Sequence, residues 1–359
     1  MRAPSVDLHA DTLMAIVHEG HRLDGSTREL AELDAPRMAE GGLDAQFFAI
    51  FVTPYWQGEA AEARAHQLID RLEVELADPV VRALVRPAVT AKDVEEATTA
   101  GRRSALYGIE GAHVLGGRLE AVARFAARGV RYIGLTWANP NECGDSSGSP
   151  PLHGGLTAFG RQVVREVENR GVLVDVSHVA DSTFWDVAHL ATAPFIASHS
   201  SCRAVAPHPR NLADEQLRAL AESGGVVGIN FHSGFIDPRW VARPWAPAWR
   251  SGGPFADPLE AERIDRHSRP AAAPRPASLE QLVEHFLHAL EVAGPEHVAL
   301  GSDRDGKIVP PTGLEDVSRL PALRAALAGR GVAEAALNAV WGGNVLRVLA
   351  EADQRRTAA

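Results

Sequence analysis

Eight short runs rich in β-branched and aromatic residues recur along the chain, at 6–11, 44–52, 105–110, 132–137, 173–178, 194–199, 226–231 and 297–303. Between them lie stretches with helical periodicity, at 58–76, 119–127, 156–169, 181–190, 214–223 and 278–292. Strands buried on both faces read as near-continuous apolar runs, and their alternation with helices predicts a parallel sheet. Eight such units suit a closed (β/α)8 TIM barrel, which needs about 250 residues and accepts insertions. The 359 residues therefore read as one barrel domain over 1–359. The rival is a doubly wound open sheet, but polar residues ending both early and late runs fit closure better. Several predicted helices begin at Ser or Asp and end near Gly, as expected of capped helices.

The segment 237–276 breaks this rhythm. It is rich in Pro and Arg and carries Trp240, Trp245 and Trp249. Following the seventh strand, it is expected as a long rim insertion, either a packed excursion or subunit contact or a cover over substrate.

In a parallel barrel the strand C-termini share one rim. Six residues able to bind metal end the apolar runs: His9 and Asp11 in VDLHAD, Glu110 in LYGIEG, His178 in LVDVSH, His199 in PFIASHS and Asp303 in VALGSD. His9 and Asp11 are two apart, which puts both on one face of a strand. Singly, each is more often a core or hydrogen-bonded residue; together they point to a metal centre. A buried carboxylate is costly unless its charge is compensated, so Glu110 is expected to bridge two cations. His9, Asp11 and Glu110 would hold one ion, and Glu110, His178 and His199 the other. Asp11, Glu110, Asp303 and a bridging hydroxide roughly offset four positive charges. Asp303 is expected to take the proton from the nucleophile and pass it to the leaving amine.

A net charge of -10 argues against a nucleic-acid partner, which needs a basic face. The two cysteines, Cys143 and Cys202, form no CxxC pair, leaving histidines and carboxylates to bind metal. With a strand starting by Val6 and no run apolar enough to span a bilayer, the expectation is a cytoplasmic protein without a membrane partner.

The segments DLHADT, YGIEGAH, LTWANPNECGD, DVSHVADSTFWDV, ASHSSCRAVAPHPRNLAD, VGINF, GSDRDG and WGGNVLRVL span nearly the whole chain. In this order the sequence resembles the membrane dipeptidase (renal dipeptidase) family of zinc peptidases, peptidase family M19, which are amidohydrolase-like TIM barrels. The resemblance implies two zinc ions bridged by Glu110, hydrolysis of small dipeptides, sometimes with a D-residue at the C-terminal position, and a homodimer. It also implies that Arg210 binds the substrate carboxylate, a role its forked guanidinium suits.

Two positions depart from the family pattern. Trp137 stands in LTW where animal members resemble LTH, so it offers an aromatic wall and an indole donor but no acid or base. Arg304, between Asp303 and Asp305, is expected to alter charge at the site mouth. His232, just past the seventh strand, is a further substrate-contact candidate.

The nearest rival reading is another amidohydrolase-type reaction, on a cyclic amide, lactone or deaminase substrate. Such sites often use a carbamylated lysine at the fourth strand's end, and this chain's Lys92 and Lys307 both lie elsewhere. A non-catalytic metal- or ligand-binding barrel is the other alternative, and it would expect the loss of a ligand or of Asp303.

Overall fold

The computed structural model describes residues 3–239, 257–267 and 275–358. Among them are nine parallel strands: β1 Val6–Ala10, β2 Ala45–Phe51, β3 Val85–Pro87, β4 Arg103–Glu110, β5 Val130–Gly134, β6 Leu173–Asp175, β7 Ile196–Ala197, β8 Val226–Ile229 and β9 Val298–Leu300. The sheet runs β2-β1-β9-β8-β7-β6-β5-β4, and pairing of β2 with β4 closes it. The result is an eight-stranded (β/α)8 TIM barrel. All eight sequence-predicted strands are in it.

The additional strand, β3, pairs with Arg103–Ala105 of β4, while β5 pairs with Tyr107–Ile109. Since β2 occupies β4 from Ser104 to Glu110, β3 and β5 share the other edge, β3 at its lower end. Most predicted strands also overran their ladders. The structure ends β1 at Ala10, β6 at Asp175, β7 at Ala197 and β9 at Leu300, so Asp11, His178, His199 and Asp303 lie on the rim beyond.

Helix capping follows the sequence in part. Ser278 caps Leu279–Ala293 by accepting from the Gln281 amide. Asp181 and Asp214 instead occupy the first turns of their helices, where a carboxylate favours the helix dipole.

The two barrel ends are built differently. At the lower end Val345, Val348 and Leu349 of the C-terminal helix Asn344–Ala358 join Val6, Leu8, Phe47, Leu106, Ile196, Val226 and Ala299 in one apolar cluster. That helix plugs the end opposite the strand C-termini. The upper end stays polar.

The 237–276 insertion is not loop throughout: it contains a helix, Pro258–His267. Glu262 on this helix is buried, accepts from Arg64 Nη2 at 2.7 Å and Trp56 Nε1 at 2.8 Å, and meets His18 Nε2 at 2.8 Å. The excursion leaving β8 thus docks on segments following β1 and β2. Trp240, Trp245 and Trp249 lie outside the described residues.

Candidate active site at the barrel rim

The β2–β4 register pairs Phe51 with Glu110 at the upper end of both strands. Glu110 is buried, and its two oxygens face different partners. Oε2 lies 3.6 Å from His9 Nε2, which is itself 3.6 Å from Asp11 Oδ2. Oε1 lies 2.9 Å from His178 Nε2 and 3.6 Å from His199 Nε2. The two histidine nitrogens are 2.9 Å apart. One carboxylate therefore stands between two donor sets.

Asp11 reaches this position differently from the period-two expectation. Its residue is past the strand, with φ -91° and ψ 21°, at the entry to helix Thr12–His18. His178 and Asp303 have φ of 69° and 60°. Left-handed backbone at non-glycine residues costs of order 1–3 kcal/mol and persists where surroundings enforce it.

Neighbouring residues orient the donors. Tyr132 Oη meets His9 Nδ1 at 2.8 Å, turning His9 Nε2 toward Glu110. This approach requires glycine at 108, since a Cβ there would lie 2.0 Å from the Tyr132 ring. Ser198 Oγ donates to Asp175 Oδ2 at 2.7 Å and lies 2.8 Å from His199 Nδ1. Such contacts fix imidazole orientation at metal sites. Asn230 Nδ2 donates to Asp303 Oδ2 at 2.9 Å.

Burial pushes His178 down to about 4, with Arg210 adding to the shift. Burial also holds His199 well below the usual histidine range, reinforced by His9. Both shifts favour the neutral imidazole, the form that ligates metal, whereas burial of His9 is outweighed by Tyr132 and Glu110, which raise it. Burial would raise Glu110, but His9 and His178 outweigh it and keep the carboxyl well below its usual range. Asp303 goes the other way: burial lifts it, opposed by His9 and assisted by Asp11 and Glu110.

The donor set fits divalent metal. His9, Glu110 and His199 form one group able to hold an ion, and His9, Asp11 and Asp303 another. His9 Nε2 and His178 Nδ1 are buried without a hydrogen-bond partner. Spacings of 2.9–3.6 Å between His9, Asp11, Glu110, His178 and His199 atoms bracket the roughly 3.3 Å expected between ligand atoms at about 2.0–2.1 Å from a tetrahedral zinc.

Arg210 lies on the His199 side, where Nη2 donates to the His199 carbonyl at 3.0 Å and Nη1 to Ser200 Oγ at 3.4 Å. It is buried and makes no ion pair among the described residues. Trp137 follows β5, its ring 4.7 Å from Phe51 and 6.5 Å from His178. His232 accepts from Val309 N at Nδ1, while its own amide donates to Asn230 Oδ1. It therefore adjoins Asp303 through Asn230.

Arg304 departs from expectation. It is fully buried, donates to the Leu314 carbonyl at 3.1 Å and lies over the Phe231 ring, away from the mouth. Lys92 is 81% exposed at its side chain, and Lys307 is exposed on a loop, so neither enters the site. Cys143 and Cys202 are buried, and burial raises both thiols.

The family model for membrane dipeptidase (peptidase family M19) matches residues 1–359. The chain belongs to this family. Membership places this M19 protein among metallopeptidase-type hydrolases. The solved dipeptidase AC, also of M19, matches it with a TM-score of 0.80 at 30% identity, covering 97% of this chain and 98% of that one. A metallopeptidase from Rhodobacter sphaeroides, liganded with a phosphinate mimic of the dipeptide L-Ala-D-Ala, gives 0.80 at 28% identity over 97% and 99%. Dipeptidase aclJ of Aspergillus oryzae is 34% identical over 334 residues, 90% of this chain and 70% of its own length. No helix among the described residues is long and apolar enough to cross a membrane.

Tyr132, Asp175, Ser198, Asn230 and Phe51 were not singled out in the sequence. Two carried a signal: Asp175 is a charge within the apolar run LVDVSH, and Asn230 is an amide within VGINF.

Proposed function

We propose that this M19 protein is a binuclear zinc dipeptidase that accepts a D-residue at the substrate's C-terminal position. The observation that carries the reading is the division of Glu110, with Oε2 toward His9 and Asp11 and Oε1 toward His178 and His199. Those five residues would hold two zinc ions. Bound zinc would supply a hydroxide nucleophile near neutral pH and polarise the scissile carbonyl.

The remaining steps belong to the chain's own groups. The Arg210 guanidinium, buried without a carboxylate partner among the described residues, receives the substrate's terminal carboxylate. Asp303, held at Oδ2 by Asn230, accepts the nucleophile's proton and returns it to the leaving nitrogen. Burial of Asp303 favours the protonated form needed for the second transfer. Trp137 and His232 border the substrate on opposite sides. The L-Ala-D-Ala mimic bound by the Rhodobacter sphaeroides relative supports the D-residue assignment.

The test is a zinc-reconstituted assay on LL, LD, DL and DD dipeptides, with cyclic amides and lactones alongside. Hydrolysis of dipeptides, greatest for an LD isomer, is expected. Turnover confined to cyclic amides or lactones would overturn the dipeptidase assignment.

A further inference from the structure

Phe51 and Trp137 form an aromatic wall for which the proton and metal chemistry has no use. Phe51 is the last residue of β2 and lies in register with Glu110, so the two side chains share one face of the β2–β4 pair. Trp137 follows β5, and its ring meets Phe51 at 4.7 Å with 52° between planes. Glycine at 111, with φ 96°, leaves room here: a Cβ would lie 2.8 Å from the His113 ring and 3.4 Å from Trp137 Cβ. The wall borders the donors through Glu110 on one side and His178 on the other.

Arg210 stands across the mouth, on the segment following β7. In the closed ring β2 lies four strands from β7, so a dipeptide with its carboxylate at Arg210 and its scissile amide between Glu110 and Asp303 would extend its amino-terminal residue toward Phe51 at the end of β2, with Trp137 packed beside it. That end meets Phe51 and Trp137. Ring carbons give an apolar side chain area to bury, whereas neither residue offers a charge to offset desolvation of Asp or Lys.

We propose that Phe51 and Trp137 are the subsite for the substrate's amino-terminal side chain and select an apolar one. The proposal rests on the dipeptidase assignment and adds the chemistry of the first residue.

The test fixes the C-terminal residue as alanine, in whichever stereoisomer the wild-type protein hydrolyses best. The first residue is then varied through Gly, Leu, Phe, Asp and Lys. Wild-type protein is expected to favour Leu and Phe over Gly by about tenfold or more in kcat/KM, and to disfavour Asp and Lys. Trp137→Ala and Phe51→Ala should each shrink the Leu-to-Gly ratio several-fold, mainly through KM for the Leu substrate. Trp137→Leu, which keeps an apolar surface, should retain more of the ratio than Trp137→Ala. A wild-type ratio near one, or a ratio unchanged in the variants that still turn over, would overturn the subsite. Hydrolysis of no dipeptide at all would remove the dipeptidase assignment and this proposal together, and so is distinct from a flat preference.

Discussion

Two arginines buried at opposite ends of the barrel show how differently the ends are made. Arg131, near the lower end, is fully buried, and burial pulls it down to about 10, but its Nη2 donates to Asp353 Oδ1 at 3.0 Å. Asp353 in turn accepts from the Ala91 amide. Arg210, at the rim, is also pushed down to about 10 by burial, yet among the described residues its guanidinium donates only to a carbonyl and a hydroxyl. The lower end gives its arginine a carboxylate within the chain, whereas the rim gives Arg210 none among the described residues. A buried cation without a carboxylate is costly, so Arg210 marks where binding a carboxylate gains energy, even though Arg131 also leaves Nε and Nη1 without a hydrogen-bond partner.

The sharpest way to break this contrast is Glu110→Gln. We expect bound zinc and dipeptide hydrolysis to fall together, checked by metal analysis and a steady-state assay; activity surviving at full metal content would remove the bridging role. Asp303→Asn should next lower kcat by roughly 10²- to 10⁴-fold while retaining most of the metal. Undiminished turnover there would take the proton away from Asp303.

Arg210→Ala sharpens the rim side of the comparison. Losing a charge-assisted contact should reduce kcat/KM on free dipeptides by about 10- to 100-fold, and much less on C-terminally amidated analogues. Equal losses on both would count against a carboxylate contact. Ser198→Ala should weaken zinc affinity by about 10- to 100-fold, measured by chelator competition, because it frees the His199 ring from Asp175.

The smallest effect on chemistry belongs to the lower end. Asp353→Asn leaves Arg131 buried without its counter-charge and should cost about 3 kcal/mol of stability by denaturant unfolding. Once folded, this variant should keep its kcat/KM. A large kinetic loss would mean the two ends are coupled.

How much was legible in the sequence follows the same division. The strands could be read because burial on both faces forces apolar runs, and the candidate rim ligands because five of the eight runs end in a His or an acid. A three-residue strand such as β3 carries too little periodicity to register, and the insertion's helix Pro258–His267 is held by Glu262 contacts with residues about 200 positions earlier. The parts that orient the ligands were harder to see. Tyr132 matters because Gly108 on the neighbouring strand admits its ring, and Ser198 because Asp175 lies across β6 and β7. Arg304 was misplaced because the left-handed turn at Asp303 sends the next side chain over the Phe231 ring and toward Leu314, a direction no local pattern reveals.

The central claim is that Glu110 joins two ions. Anomalous diffraction at the zinc edge from metal-loaded crystals tests it most directly. The account predicts two peaks about 3.5–4 Å apart, each about 2.0–2.2 Å from a different Glu110 oxygen. A single peak, or two peaks that leave one Glu110 oxygen without metal, would contradict it.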